Sequence, residues 1–159
     1  MRTGTNSTND LLAASEYTRK DNPPYAYYLF YFWSNLQALN NLRAARKMRV
    51  LTLRLHCGEA GPVHHLATAF LFAYNINHGI NLAKEPTLKN LYYLAQIGLS
   101  VSPISNKTLF LPYVDTQFPH FFKRGLNVTL ITDDPLMIHM TPTPLLEEYA
   151  SARLVWKLT

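Results

Sequence analysis

Polar side chains able to bind a metal or move a proton follow four apolar segments of the chain. The four clusters are His56-Cys57-Gly58-Glu59, His78-Gly79, Ser102-Pro103 with Ser105-Asn106, and Asp133-Asp134-Pro135. Neutral imidazole and carboxylate both suit zinc, so His56 and Asp133 are the expected metal ligands. Glu59, across a glycine turn from His56, and His78 are then placed to carry protons beside the ion.

The segments before these clusters alternate with segments of helical spacing. Strands are predicted around residues 51–55, 75–77, 99–103 and 127–133, and helices over 63–74, 88–95, 118–124 and 144–158. An amphipathic helix over residues 25–42 precedes them all, after the Asn22-Pro23-Pro24 start signal. No hairpin signal joins the strands, so we expect parallel strands with helical crossovers.

Four strand–helix units are half of a (β/α)8 barrel, which needs roughly 250 residues. We therefore predict an α/β fold that is a partial TIM barrel with parallel strands. The loops after the strands of such a barrel open on one face, where barrel enzymes hold their active sites. The four clusters are expected to meet at that rim.

Length and composition indicate one globular domain. The chain has 159 residues, 48% of them hydrophobic and 16% charged. Residues 1–20 are polar and lack a period, which predicts a disordered or unrelated leader before a domain that spans 21–159. The formal charge of +5 suits an anionic ligand such as a nucleotide.

Other features narrow the class of protein. The sequence has no run of more than two consecutive lysine or arginine residues, which argues against a nucleic-acid partner. Cys57 is the only cysteine, so an internal disulfide and a cysteine-based zinc site are both excluded. No apolar run approaches membrane-spanning length and the first residues are not a secretory signal. We expect a cytosolic protein with no membrane partner.

Six blocks of the sequence together resemble AMP deaminase. They are NPPYAYYL (22–29), LRLHCGEAGPVHHL (53–66), NINHGI (75–80), LYYLAQIGLSVSPISN (91–106), TDDPL (132–136) and EEYASARLVWKL (147–158). TDDP alone indicates only the wider adenosine/AMP deaminase superfamily, whereas the joint occurrence of the blocks points to the AMP branch. The resemblance runs from Asn22 to Thr159 and corresponds to the C-terminal half of the catalytic domain, which implies the last four βα units of its barrel.

The resemblance implies a zinc-dependent hydrolase that converts AMP to IMP and ammonia, as a homo-oligomer (a tetramer in the family) when full length. His56 resembles the family's third zinc histidine and Asp133 its zinc aspartate. Glu59 resembles the glutamate that protonates purine N1 and contacts the substrate, and His78 the histidine that acts as base on water. The remaining substrate-binding positions implied by the resemblance are Asp134, which holds the purine edge, Pro135, Leu136 and Met137.

The chain departs from the family pattern in one respect that keeps other functions open. The family's first two zinc ligands form a His-x-His pair, and this chain has none. The alternative is therefore a truncated, catalytically inactive paralogue that acts as a binding module, and the third is an adenosine deaminase-like activity. Among single residues, His139 and Cys57 are interpreted as structural, and Asp133-Asp134-Pro135 has a turn-and-cap alternative.

Overall fold

A computed structural model describes residues 14–18, 20, 22–109 and 111–158. The chain divides into two compact units, residues 1–51 and 52–159, each considered by itself. A short 3-10 helix, Ala14–Glu16, is described in the first unit. Most of residues 1–20 lies outside the described part, so the leader stays a prediction.

The first unit is built on helix α1, Tyr25–Ala45, which begins directly after Pro24. Proline fits the start of a helix because the first backbone N–H groups have no partner there in any case. The apolar positions predicted to share one stripe are not buried together: Leu29 is buried, whereas Tyr28, Phe32 and Leu39 are exposed. Aromatic residues occupy 27, 28 and 30–33, so they surround the helix instead of lining one side. Even so, the described residues contain no helix with the length and hydropathy that a membrane crossing requires.

The second unit contains one sheet of four parallel strands in the order β1-β2-β3-β4. The strands are β1 Arg54–Cys57, β2 Asn75–His78, β3 Gly98–Val101 and β4 Val128–Leu130. The helices are α2 His64–Phe72, α3 Pro86–Ala95, α4 Pro103–Leu109, α5 Phe118–Lys123, α6 Pro135–Ile138 and α7 Pro144–Trp156. Two 3-10 helices, Ile80–Lys84 and Tyr113–Asp115, complete the unit. The predicted α/β class, with parallel strands and helical crossovers, is confirmed.

The register of the sheet separates an apolar face from a polar one. Residues paired across parallel strands lie on the same face. Ile76 pairs with Leu99, and both are fully buried. The next row consists of His56, Asn77, Ser100 and Thr129. The site histidines divide between the two faces: His56 belongs to the polar row, whereas His78 pairs with Cys57 in the row after it and shares the face of Ile76.

Three predicted boundaries are wrong. Strand β4 ends at Leu130 and not at 133. Strand β1 begins at Arg54 and not at 51, because the Asn40 side chain takes both backbone groups of Leu51: its amide donates to the Leu51 carbonyl and its oxygen accepts from the Leu51 N–H, each at 2.8 Å. Pro103, Ser105 and Asn106 do not form a strand end and loop but belong to α4. Proline at the first helical position explains this start.

A buried hydroxyl links α3 to α2. Tyr92 is 1% exposed and its hydroxyl donates to the carbonyl of Leu66 at 2.9 Å. Tyr92→Phe leaves that carbonyl without this partner, and we expect the free energy of unfolding to fall by about 1–3 kcal/mol. Chemical denaturation measures the change. Tyr93→Phe, at the exposed neighbouring position, is the matched control, and equal values for the two variants would contradict the prediction.

Candidate active site

Four of the residues singled out in the sequence lie together at the carboxyl ends of the strands. His78 Nε2 lies 3.1 Å from Glu59 Oε2 and 3.9 Å from Asp133 Oδ2. His56 Nε2 lies 3.8 Å from Asp133 Oδ1, and the two imidazole rings are 5.2 Å apart between centroids. Two imidazoles and two carboxylates therefore share one small volume, with atoms close enough to hold one ion or pass a proton.

A glycine turn returns Glu59 to this volume after β1 ends. Gly58 has φ +76°, a left-handed conformation that glycine adopts without steric cost. A Cβ at this position would stand 2.7 Å from Leu66 Cδ2, so a larger residue would also press on the buried side chain of α2. Position 58 therefore requires glycine for both the turn and the close approach.

His78 and Asp133 hold backbone conformations that are unfavourable for their residue types. Their φ angles are 71° and 59°, in the left-handed region. Such residues cost of order 1–3 kcal/mol each, persist where surrounding contacts fix them, and are frequent at functional sites. Here these conformations direct the side chain of His78, at the end of β2, and that of Asp133, after β4, towards the same point.

Two neighbouring residues of α4 fix the orientation of these side chains. Ser105 Oγ donates to Asp133 Oδ2 at 2.7 Å, and Asn106 Oδ1 lies 3.0 Å from His78 Nδ1. Both are buried. The amide oxygen can only accept, so His78 Nδ1 carries the proton and Nε2 presents its lone pair towards Glu59 when the ring is neutral. Sequence reasoning noted this pair as a polar strand end but gave it no role.

Exposure increases across the site. The His78 side chain is 1% exposed, Asp133 17%, Glu59 27% and His56 58%. His56 lies on β1, at one end of the strand order, and in the described part of the chain no strand covers the outer edge of β1. The site is therefore enclosed on the His78 side and open on the His56 side.

Three side chains of the site form a donor group that could hold a metal ion. His56, His78 and Asp133 each offer one ligand atom, and these atoms all lie within 4.8 Å of one another. Two atoms that each bind one zinc ion at about 2.0–2.2 Å are at most roughly 4.4 Å apart. The 3.8 Å between His56 Nε2 and Asp133 Oδ1 meets that limit. The donor set and its spacing fit a divalent metal of the zinc type.

The remaining expected site residues directly follow Asp133 in the chain. Asp134 precedes α6, and Pro135, Leu136 and Met137 form its first turn. All four are exposed, Leu136 at 98% and Met137 at 85%. Residues 134–137 thus form a solvent-facing segment directly after Asp133.

The fold and the cluster define a class: part of a (β/α)8 barrel with a metal-competent site at the carboxyl ends of its strands. Solved structures share this fold. An adenine deaminase from Arthrobacter aurescens superposes with a TM-score of 0.66 at 22% identity, over 87% of this chain and 39% of its own. An Arabidopsis N6-mAMP deaminase gives a TM-score of 0.59 at 21% identity, over 80% of this chain and 36% of its own.

The sequence model of AMP deaminase matches residues 3–159, and the chain belongs to the AMP deaminase family. A probable AMP deaminase of Oryza sativa is 54% identical over 96% of this chain, and the AMP deaminase of Dictyostelium discoideum is 54% identical over 91%. The aligned region is 19% of the rice protein and 18% of the Dictyostelium protein. The chain thus spans about a fifth of the length of these relatives.

Proposed function

We propose that the chain supplies one half of the active site of an AMP deaminase, which hydrolyses the C6–N bond of AMP to give IMP and ammonia. The observation that carries the proposal is the convergence of four side chains at one rim. His78 lies 3.1 Å from Glu59 and 3.9 Å from Asp133, and Asp133 lies 3.8 Å from His56. Membership of the AMP deaminase family supports AMP as the substrate. The formal charge of +5 favours an anionic nucleotide.

We assign His56 and Asp133 as the residues that would hold a zinc ion. Their donor types and the 3.8 Å between their ligand atoms support the assignment. When bound, zinc supplies hydroxide at neutral pH because it lowers the pKa of water from about 15.7 to about 7. His78 belongs to the same donor group, but its contact with Glu59 favours a proton-transfer role.

The proposed proton transfers rest on the His78–Glu59 contact. His78 Nδ1 is occupied by the contact with Asn106, so Nε2 is the nitrogen that takes a proton from water as it adds to C6. Glu59 Oε2 faces the same nitrogen at 3.1 Å, short enough for a proton to pass between them. Glu59 gives its proton to purine N1. The proton that His78 took from water passes to the amino group, which leaves C6 as ammonia, and the C6 hydroxyl returns its proton to Glu59 as the C6 carbonyl forms.

We propose that the exposed segment 134–137, directly after Asp133, binds the purine. Asp134 would accept hydrogen bonds from the base edge, and Pro135, Leu136 and Met137 would cover its face. Their support is position and exposure: they follow Asp133 directly, and Leu136 is 98% exposed. A homo-oligomeric state, a cytosolic location and a role in IMP synthesis stay proposals that rest on family membership.

One observation favours a second function. The chain contains no His-x-His pair, although it has six histidines. With fewer than the usual protein ligands it would act as a non-catalytic binding module unless another polypeptide segment completes the site. An adenosine deaminase-like activity is the third candidate.

Reconstitution separates the three. The chain is mixed with the rice relative from which the matched 152 residues have been removed, and ammonia release is measured from AMP and from adenosine. We expect the mixture to deaminate AMP only, and each component alone to do so at least about 100-fold more slowly, because each lacks metal ligands or acid–base groups. A mixture that forms a complex but releases no ammonia favours the binding module. Ammonia release from adenosine but not from AMP favours the adenosine deaminase-like activity.

A further inference from the structure

The carboxylate of Glu148 is fully buried and does not belong to the four side chains of the site. It comes from α7, and its side chain and that of His139 are both 0% exposed. Glu148 Oε1 lies 3.0 Å from His139 Nε2. His139 follows the last residue of α6, so this contact ties α7 to the end of the segment that begins at Asp133.

The second oxygen of the same carboxylate holds another segment. Glu148 Oε2 accepts from the backbone N–H of Ile104 at 3.1 Å, in the first turn of α4. One buried carboxylate therefore joins three parts of the chain: α7, the segment after β4 and the start of α4. The neighbouring Glu147 has a separate role on the surface, where it accepts from the backbone N–H groups of Met140 and Thr141.

The two segments tied by Glu148 are the ones that meet again in the site. Ile104 immediately precedes Ser105, which donates to Asp133, and Asn106, which contacts His78. His139 lies six residues after Asp133. The contacts thus close a ring that runs from Glu148 through α4 to Asp133 and back through His139.

The protonation of the pair fits a fixed geometry. In the described part of the chain His139 Nδ1 is buried and has no hydrogen-bond partner. In the tautomer with the proton on Nε2, the ring donates to Glu148 and the unpaired atom Nδ1 is an acceptor. In the other tautomer, Nδ1 would be a buried donor without a partner, which costs more. Burial raises the pKa of Glu148, while the Ile104 N–H and His139 oppose that rise. Buried ion pairs contribute little to stability compared with apolar packing, so their better-attested use is to specify geometry.

We propose that His139 and Glu148 are positioning residues that hold the α4 segment and the segment after β4 at the spacing the site requires. The inference rests on the proposed function of Asp133 and His78. Partners behind a metal ligand typically change metal affinity about 10- to 100-fold when they are removed. Glu148 does not contact Asp133 directly but acts on it through Ile104 and Ser105. We therefore expect its removal to change zinc affinity by about 10-fold, the lower end of that range.

The test uses the complete 159-residue chain and two readouts. Backbone hydrogen exchange reports local opening, and competition with a chelator reports zinc affinity. Glu148→Ala is expected to raise exchange at least about 10-fold in residues 103–109 and 134–140, with less than about a 2-fold change in β2 and β3, and to weaken zinc binding about 10-fold. Glu148→Gln keeps an oxygen for Ile104 and is expected to restore slow exchange in 103–109.

His139→Asn provides the second variant should Glu148→Ala fail to fold, and is expected to raise exchange in 134–140 alone. Glu85→Ala, at an exposed position before α3, is the control and should change neither readout. A uniform rise in exchange over all strands indicates a merely structural role and overturns the proposal, as does unchanged exchange in both segments. If the wild-type chain binds no zinc, the proposed metal site fails, while the exchange pattern still decides the role of Glu148.

Discussion

Replacing Glu59 with glutamine is expected to lower the rate of ammonia release from AMP by about 10²- to 10⁴-fold in the reconstituted mixture. Glutamine keeps the size of the side chain and its place after the Gly58 turn. It cannot give up a proton at the atom that faces His78 Nε2 at 3.1 Å. The measurement is the initial rate of ammonia release at saturating AMP, so that the loss appears in kcat.

Zinc content separates a chemical defect from a misfolded site. Glu59 is outside the group of three side chains whose ligand atoms lie within 4.8 Å of one another, so Glu59→Gln should retain the zinc of the wild type. Glu85→Gln, the same change at an exposed position outside the cluster, should retain full activity. A Glu59→Gln mixture that works at the wild-type rate would remove this residue from the mechanism.

The fold was predictable because strand and helix periods alternate so clearly after residue 51. Parallel pairing follows from crossovers that leave no room for hairpins, and the structure has that topology. The start of β1 was not predictable, because it depends on Asn40, a residue distant in sequence that occupies the backbone of Leu51. Local pattern contains no information about such a side chain.

The exposure of α1 and the existence of α4 illustrate two further limits. The spacing of apolar residues in α1 predicted a single stripe, but aromatic residues on the other sides of the helix make any stripe ambiguous. A proline that ends a strand and a proline that begins a helix look the same in sequence. For Pro103, only the packing of α4 against α6 and α7 decides between them.

The candidate site was predictable to the extent that it lies at strand ends. His56, Glu59, His78 and Asp133 follow directly from the rule that loops of parallel strands share one rim. Glu148 carried no such signal, because it lies in the second turn of a helix beside another glutamate. Glu147 and Glu148 differ only in where α7 turns them, one to the surface and one into the interior, and that depends on packing.

Asp133→Asn is the sharpest test of the metal site, because it changes charge while keeping the backbone. Asparagine tolerates the left-handed region in which Asp133 lies, with φ 59°, whereas alanine there costs about 1 kcal/mol or more. An amide oxygen can still accept from Ser105, whose Oγ lies 2.7 Å from Asp133 Oδ2. We expect both Asp133→Asn and Asp133→Ala to weaken zinc binding at least about 100-fold, because a neutral amide or a methyl group replaces an anionic ligand.

Asp133→Asn and Asp133→Ala should then differ in stability but not in zinc affinity. Asp133→Asn is expected to unfold near the wild-type denaturant midpoint, whereas Asp133→Ala unfolds earlier because of its backbone conformation. Asp115→Asn, at the end of the exposed 3-10 helix Tyr113–Asp115, is the control and should bind zinc as the wild type does. Zinc affinity left intact in Asp133→Asn would show that the charge of this residue holds no metal, and the ion would have to be assigned to other ligands. An equal loss of stability in both variants would instead mean that the carboxylate itself, through Ser105 and His56, holds the segment after β4 in place.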